Sequence, residues 1–547
     1  MGLSPATVLI TLFTINQALD KNGPNPIVKL PDGSIEGKSQ ANPHAPGTHY
    51  FSFEGIPYAK PPLGSLRFEP PQPNEKWSGV LKTLTNRSSC IQQNGDGSED
   101  CLYLNVFTPT LNTSSNLPVM VWIFSGGFIN GDGSRYRYNP EALLADGVVY
   151  VAMNYRLGIF GFLSTGDVVS PGNYGLKDQV LALKWVQKNI GLFGGDPKRV
   201  TIFGLSAGSV SVSYLVQSPA ARGLFYAAMM RSGVSINVWS LSRHSRQLAF
   251  LIAASLNVDI TNSYTLKEGL KKIDAHKLQA CSGPEFIATQ MFDNPLDGLN
   301  FSPVKEPVHE GAIFTGESYR QVKNGEFTRV PLMIGHTSEE AEDVYFFLPD
   351  IMVPSFLQNP ENVVVGDLNV TNPLEKFLIG KQIERYYGLN PLLIDRTAAT
   401  NYVSDIFFNN GITQAVQLQS KYVPVYFYIY SYGGSFLNVS DADVGHAADL
   451  PFIFPISAVN SPSDVLMRRR NVRLLTNFAK YRNPTPQREE LLQNIIWPKT
   501  NYPTTFENLV YLNISDPLKL ESNYDTPNLE FWRNLYFRSG NQPYDTY

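Results

Sequence analysis

Three cysteines in 547 residues cannot build a disulfide scaffold, and no Cys/His cluster has metal-ligand spacing, so neither a metal nor an organic cofactor is expected. Basic residues do not predominate either. Lys plus Arg number 44 against 48 Asp plus Glu, for a formal charge of −4, and without a polycationic field nucleic acid is excluded as the main partner. Charged residues make up only 17 %, with 43 % hydrophobic and 12 % aromatic, which excludes a disordered chain. The sequence also lacks internal repeats, low-complexity tracts and linker-like shifts in composition, so residues 19–547 read as one large domain with long insertions.

Long apolar runs are missing too. The only strongly apolar N-terminal stretch, Val8-Leu9-Ile10-Thr11-Leu12-Phe13, is too short to span a bilayer and sits where the core of a secretory leader would. Residues 1–18 therefore read as a signal peptide, although no Lys or Arg precedes Lys21. N-x-[ST] triplets at Asn86, Asn112, Asn300, Asn369, Asn438 and Asn513 fit a secretory route. No later stretch could form a membrane helix, and residues 541–547 lack the tail of a lipid-anchor signal. The expectation is a secreted protein without a membrane anchor, a monomer or weak homodimer.

What is present is an alternation of strand and helix. Runs rich in β-branched and aliphatic residues at 119–124, 148–154, 200–203, 330–334 and 423–430 read as buried strands. Between the second and third, apolar positions 181, 182, 185, 186 and 190 fall on one face of a helix over 178–190. This order predicts a parallel α/β sheet with its active site at the carboxyl ends of the strands.

Gly204-Leu205-Ser206-Ala207-Gly208 is a G-x-S-x-G match with a strand before it and a helical stretch, 209–216, after it. That is the setting a nucleophile elbow needs; a glycine-rich turn with an ordinary serine is the alternative. A serine hydroxyl needs a histidine base, which in this type of fold comes last along the chain, after the acid. Of seven histidines only His446 has a strand and candidate acids upstream, although a solvated loop histidine is the simpler reading. The acid could be any of Glu339, Glu340, Glu342 or Asp343 after the strand ending in Gly335, or the segment is merely an acidic surface loop. Backbone N–H donors for an oxyanion would come from Gly126 and Gly127, after the 119–124 strand, and from Ala207, with an ordinary glycine turn as the alternative. Arg468-Arg469-Arg470 with Arg473 reads as the solvated basic face of a helix.

Taken together, these segments resemble the type-B carboxylesterase and cholinesterase family of α/β-hydrolases, from about Val28 to the 471–486 region and beyond. The nucleophile signature runs from Phe193-Gly194-Gly195-Asp196-Pro197 to Gly208, and Ser98-Glu99-Asp100-Cys101-Leu102-Tyr103-Leu104-Asn105-Val106 is similar to the second signature. Further likenesses are Gly55-Ile56-Pro57-Tyr58-Ala59 and Asn154-Tyr155-Arg156-Leu157-Gly158. The resemblance implies an α/β-hydrolase fold, a single domain whose large, mostly parallel central sheet is flanked by helices. It also implies the triad Ser206, Glu340 and His446, a Cys90–Cys101 disulfide and a supporting role for Ser232, and it leaves Cys281 without a partner. Trp239 aligns loosely with an acyl-pocket position, with core packing as the equal alternative. Phe124-Ser125 stands where the family usually has His-Gly, Leu205 replaces an acidic or amide residue, and Ala341 replaces a glycine. These changes bear on fine tuning and not on reaction class.

The implied activity is hydrolysis of small-molecule carboxylic esters by way of an acyl-enzyme. Loop 91–100, closed by the implied disulfide, carries no aromatic residue to hold a quaternary ammonium. Choline esters are therefore not expected, and the short loop and Ala447-Ala448-Asp449 look more like arthropod general, hormone- or pheromone-degrading esterases. The rivals are an inactive binding or adhesion relative and a ligand-sequestering slow esterase.

Overall fold

Strands built from aliphatic runs without charges need both faces covered, and they occupy the middle of a large sheet. The structure, a computed structural model, describes residues 25–282, 296, 298–342, 359–389, 396–500, 508–524 and 526–547. The expected leader and Asp343 lie outside the described residues. In chain order the strands are β1 (Ile27–Leu30), β2 (Gly33–Glu36), β3 (Lys38–Ala41), β4 (His49–Pro57), β5 (Val80–Lys82), β6 (Tyr103–Thr108) and β7 (Leu117–Ile123). They continue with β8 (Val149–Met153), β9 (Gly195–Leu205), β10 (Ala227–Arg231), β11 (Leu332–Thr337), β12 (Val425–Tyr430), β13 (Tyr511–Ile514) and β14 (Lys519–Glu521).

Eleven of these form one sheet in the order β14-β13-β12-β11-β10-β9-β7-β8-β6-β4-β3, and β1-β2-β5 form a small second sheet. From β8 through β13 every pairing is parallel, while β13–β14, β8–β6, β6–β4 and β4–β3 are antiparallel. The fold is an α/β-hydrolase fold with antiparallel margins. Parallel pairing puts the carboxyl ends of β7, β9, β10, β11 and β12 along one edge, and the loops that leave them carry the candidate residues.

The five expected strand runs correspond to β7, β8, β9, β11 and β12. β9 is much longer than 200–203, because Leu117 of β7 also pairs with Gly195 across a register shift. Central β10, Ala227-Ala228-Met229-Met230-Arg231, carries no strand signal of its own: Ala has low strand propensity and Met little preference, and its two neighbours fix it as a strand. The expected helix 178–190 spans Tyr174–Asn189. It is buried over most of its circumference, and Asp178, fully buried, takes three hydrogen bonds from Arg156 at 2.7 to 3.0 Å. An apolar-face reading undercounts that burial because the interior charge pair is polar.

A second correction concerns the basic run. Arg468 and Arg470 are not solvated; both are buried on the Pro462–Tyr481 helix, and Arg469 alone of the three is exposed. Arg468 donates to the Val459 carbonyl, and Arg470 to the Leu491 carbonyl and to Asp516. Each guanidinium is used as an internal staple, its stem packed along the helix. Among the described residues no helix is long and apolar enough to cross a membrane.

Candidate active site

Ser206 stands between the end of β9 and the Ala207–Gln217 helix with φ 56° and ψ −125°. A non-glycine residue holds such angles only where its surroundings enforce them. Its N–H donates to the Arg231 carbonyl on β10 at 2.9 Å, and its carbonyl accepts from Val210 N–H at 2.9 Å. Gly208 explains the motif's last position: a β-carbon there would lie 2.1 Å from the Ile123 carbonyl oxygen. Only glycine lets the helix start pack against the Ile123 and Phe124 carbonyls at the end of β7.

In that loop Gly126 has φ 118°, and a β-carbon would fall 2.1 Å from the Asn130 carbonyl oxygen. The Gly126 carbonyl accepts from the N–H groups of both Ile129 and Asn130, which closes a tight turn. Phe124, where the family usually has histidine, is buried and stacked on Tyr155 at 4.3 Å, and Ser125 hydrogen-bonds Tyr138.

The other two candidates meet. His446 Nδ1 lies 2.5 Å from Glu340 Oε2, and the His446 N–H donates to the Glu340 carbonyl at 3.1 Å. Glu340 Oε1 accepts from Thr337 N–H at 2.8 Å, and the Ser232 hydroxyl bonds the same carboxylate. Side-chain exposure is 0 % for Glu340 and 11 % for His446. Burial pushes the Glu340 carboxyl up, but His446, His336 and the Ser232 hydroxyl outweigh it and hold the group below its ordinary value. Of the other acids, Glu339 accepts from Ser404 at 2.5 Å and so turns away from the imidazole. Ala341, fully buried, donates its N–H to the same Ser404 hydroxyl at 2.9 Å.

Ser232 itself has φ 54°, and its N–H donates to the Gly335 carbonyl on β11 at 2.8 Å. Cys90 and Cys101 are disulfide-bonded and Cys281 is a free thiol. Trp239 is buried and donates to the Phe407 carbonyl at 2.7 Å. Its ring lies 5.9 Å from Phe408, which in turn lies 4.9 Å from the His446 ring. Among the sequons Asn112, Asn369 and Asn438 are exposed. Asn300 is partly covered, and the Asn86 and Asn513 amides are engaged by Asn105 and Glu521.

Sequence reasoning missed several neighbours. Phe407 and Phe408 sit in a π-helical turn, Asp405–Asn409, which no local pattern marks. The buried pair Arg231 and Asp449 was legible only as letters inside Arg231-Ser232-Gly233 and Ala447-Ala448-Asp449. Burial works against the Arg231 charge, yet Asp449 beside it holds the guanidinium above its usual range. A small cleft beside the disulfide, lined by Arg67, Phe68, Arg156 and Phe160 among others, includes none of Ser206, Glu340 and His446. Among the described residues no group of three or more His, Cys, Asp or Glu side chains could hold a metal ion.

A model of the carboxylesterase family matches residues 24–532. The chain belongs to this family. It is 35 % identical over 520 residues to the juvenile hormone esterase of Tribolium castaneum, covering 87 % of this chain and 86 % of that one. It is 34 % identical over 554 residues to a carboxylic ester hydrolase of Bombus ignitus, covering 94 % and 95 %. Among solved structures, the juvenile hormone esterase of Manduca sexta with OTFP covalently attached superposes with a TM-score of 0.82 at 28 % identity, over 94 % of this chain and all of that one. Carboxylesterase membership and the α/β-hydrolase architecture thus agree.

Proposed function

We propose that this chain is a serine carboxylesterase that hydrolyses small, uncharged carboxylic esters through an acyl-enzyme on Ser206. The observation that carries the reading is the buried Glu340 carboxylate 2.5 Å from His446 Nδ1, beside a serine held at φ 56° on the strand-to-helix turn. Ser206 Oγ attacks the ester carbonyl carbon while His446 Nε2 takes the hydroxyl proton. The tetrahedral oxyanion accepts from the N–H groups of Gly126, Gly127 and Ala207. Its collapse breaks the ester C–O bond, and the proton passes from Nε2 to the leaving alkoxide. A water molecule, deprotonated in turn by His446, attacks the acyl-enzyme and releases the acid and the free serine. Glu340 keeps Nδ1 protonated and steadies the imidazolium.

The Trp239 ring packed on Phe408, and Phe408 on the His446 ring, support an apolar acyl group in this reading. The disulfide and the exposed sequons at Asn112 and Asn438 support secretion, and the protein acts as a monomer or weak homodimer, to be checked by light scattering. Hydrolysis of p-nitrophenyl esters from acetate to octanoate by wild type and Ser206→Ala tests the activity. Turnover that vanishes in the variant is expected; a folded wild type with neither burst nor turnover would point to an inactive binding relative, and a burst alone to sequestration.

A further inference from the structure

Arg231 and Asp449 form an ion pair with side-chain exposures of 1 % and 2 %. Stability does not account for it, because a buried ion pair gains little over apolar residues of the same volume. The pairing is also spare: Arg231 Nε and Asp449 Oδ1 have no hydrogen-bonding partner among the described residues. Its position is more telling. Arg231 closes β10, its carbonyl accepts from the N–H of Ser206, and Ser232, the next residue, bonds Glu340. Asp449 lies three residues beyond His446 in a chain of turns: Ala448 N–H donates to Gly445, Leu450 N–H to Ala447 and Phe452 N–H to Asp449. The Arg231 guanidinium lies 5.5 Å from the centre of the Tyr428 ring on β12, which fixes its direction.

We infer that Arg231 and Asp449 are positioning residues that clamp the His446 loop to the strand end holding Ser206 and Ser232. The inference rests on the triad reading above. Two consecutive residues thereby reach all three arms: the Arg231 carbonyl holds the serine turn, its guanidinium holds the loop of the base, and Ser232 holds the acid. Loosening the clamp displaces the imidazole from Ser206 without altering the ester pocket, so it lowers kcat and spares KM. An ångström-scale misplacement of this kind costs on the order of 100-fold.

The charges around His446 also give the pair a second signature. Glu340 bonds the imidazole and has His336 near its carboxylate on the β11 side, Arg231 at the end of β10 pairs with Asp449 on the histidine's own loop, and the Glu342 side chain lies near Gly445. Asp449→Asn leaves the Arg231 charge uncompensated, which disfavours the imidazolium and moves the acid limb of kcat/KM to lower pH. Arg231→Met leaves Asp449 uncompensated and moves the limb to higher pH.

The test measures kcat, KM and the pH profile of kcat/KM on p-nitrophenyl butyrate for wild type, Arg231→Met, Asp449→Asn and the double variant Arg231→Met with Asp449→Leu, with thermal melts of each. The single variants are expected to lose about 10- to 100-fold in kcat, with KM within about twofold and acid limbs displaced in opposite directions. The double variant is expected to melt near wild type and to regain the wild-type limb while kcat stays depressed. Full kcat in the double variant, or a wild-type rate and profile in either single variant, would overturn the clamp. Should a single variant not fold, the double variant decides alone. Ser206→Ala, assayed alongside, separates the two readings: if it turns over normally, the triad has failed and not the clamp.

Discussion

A serine hydroxyl is a useful nucleophile only when an oriented base stands ready to take its proton, and in the proposed triad orientation falls to the Glu340 carboxylate, whose side chain has 0 % exposure. Glu340→Gln offers Nδ1 an amide in place of a full charge, so kcat should fall by about 10³- to 10⁴-fold with KM little changed, measured by steady-state hydrolysis. Because the folded-state Glu340 carboxyl titrates below its ordinary value of 4.5, its stabilising contribution is fully present above that value and is lost as pH falls through the depressed one. Thermal melts should therefore show wild type losing more stability than Glu340→Gln on acidification from pH 5 downward; parallel losses would contradict the pairing. Ser206 and the glycine donors stand out in the sequence because each sits in a short segment with its own local logic. The acid and the base do not: four carboxylates lie within five residues and a loop histidine has no pattern of its own, so Glu340 and His446 come from the family resemblance, and the structure pairs them while Ser404, 65 positions away in sequence, takes up Glu339.

Elements at the centre of the sheet announce themselves and those at its margins do not. β7, β8, β11 and β12 are buried on both faces and so read as apolar runs, whereas β3 and β14 are short and polar and exist because a neighbour pairs with them. Interior charge hides helices in the same way. The Arg156–Asp178 pair ties the start of the Tyr174–Asn189 helix to the segment after β8 at exposures of 3 % and 0 %. Asp178→Asn, which strands a buried guanidinium, should cost about 3–5 kcal/mol in urea-unfolding experiments. A loss under 1 kcal/mol would mean that the helix is held by its apolar face alone.

At the scale of the whole molecule, one eleven-stranded sheet sends the loops that carry residues 126, 206 and 340 out from the carboxyl ends of its parallel strands, and His446 meets Glu340 there, so a single domain of this length suffices for the proposed site. The single-domain reading was legible from the absence of linkers, while the course of the insertions was not, since their packing depends on partners far along the chain. The Cys90–Cys101 disulfide closes a short loop with a sequence separation of 11, so its removal as Cys90→Ser with Cys101→Ser should lower stability by about 3 kcal/mol. Glycopeptide mapping of secreted protein should find sugar at Asn112 and Asn438 but not at Asn513, whose amide is spent inside the sheet margin. In the proposed mechanism Ser206 forms the covalent intermediate. Incubating the protein with an organophosphorus probe and mapping the adduct by peptide mass spectrometry tests it most directly: one label per chain, on Ser206 and absent from Ser206→Ala, is predicted, and a label elsewhere or none at all on active protein would contradict it.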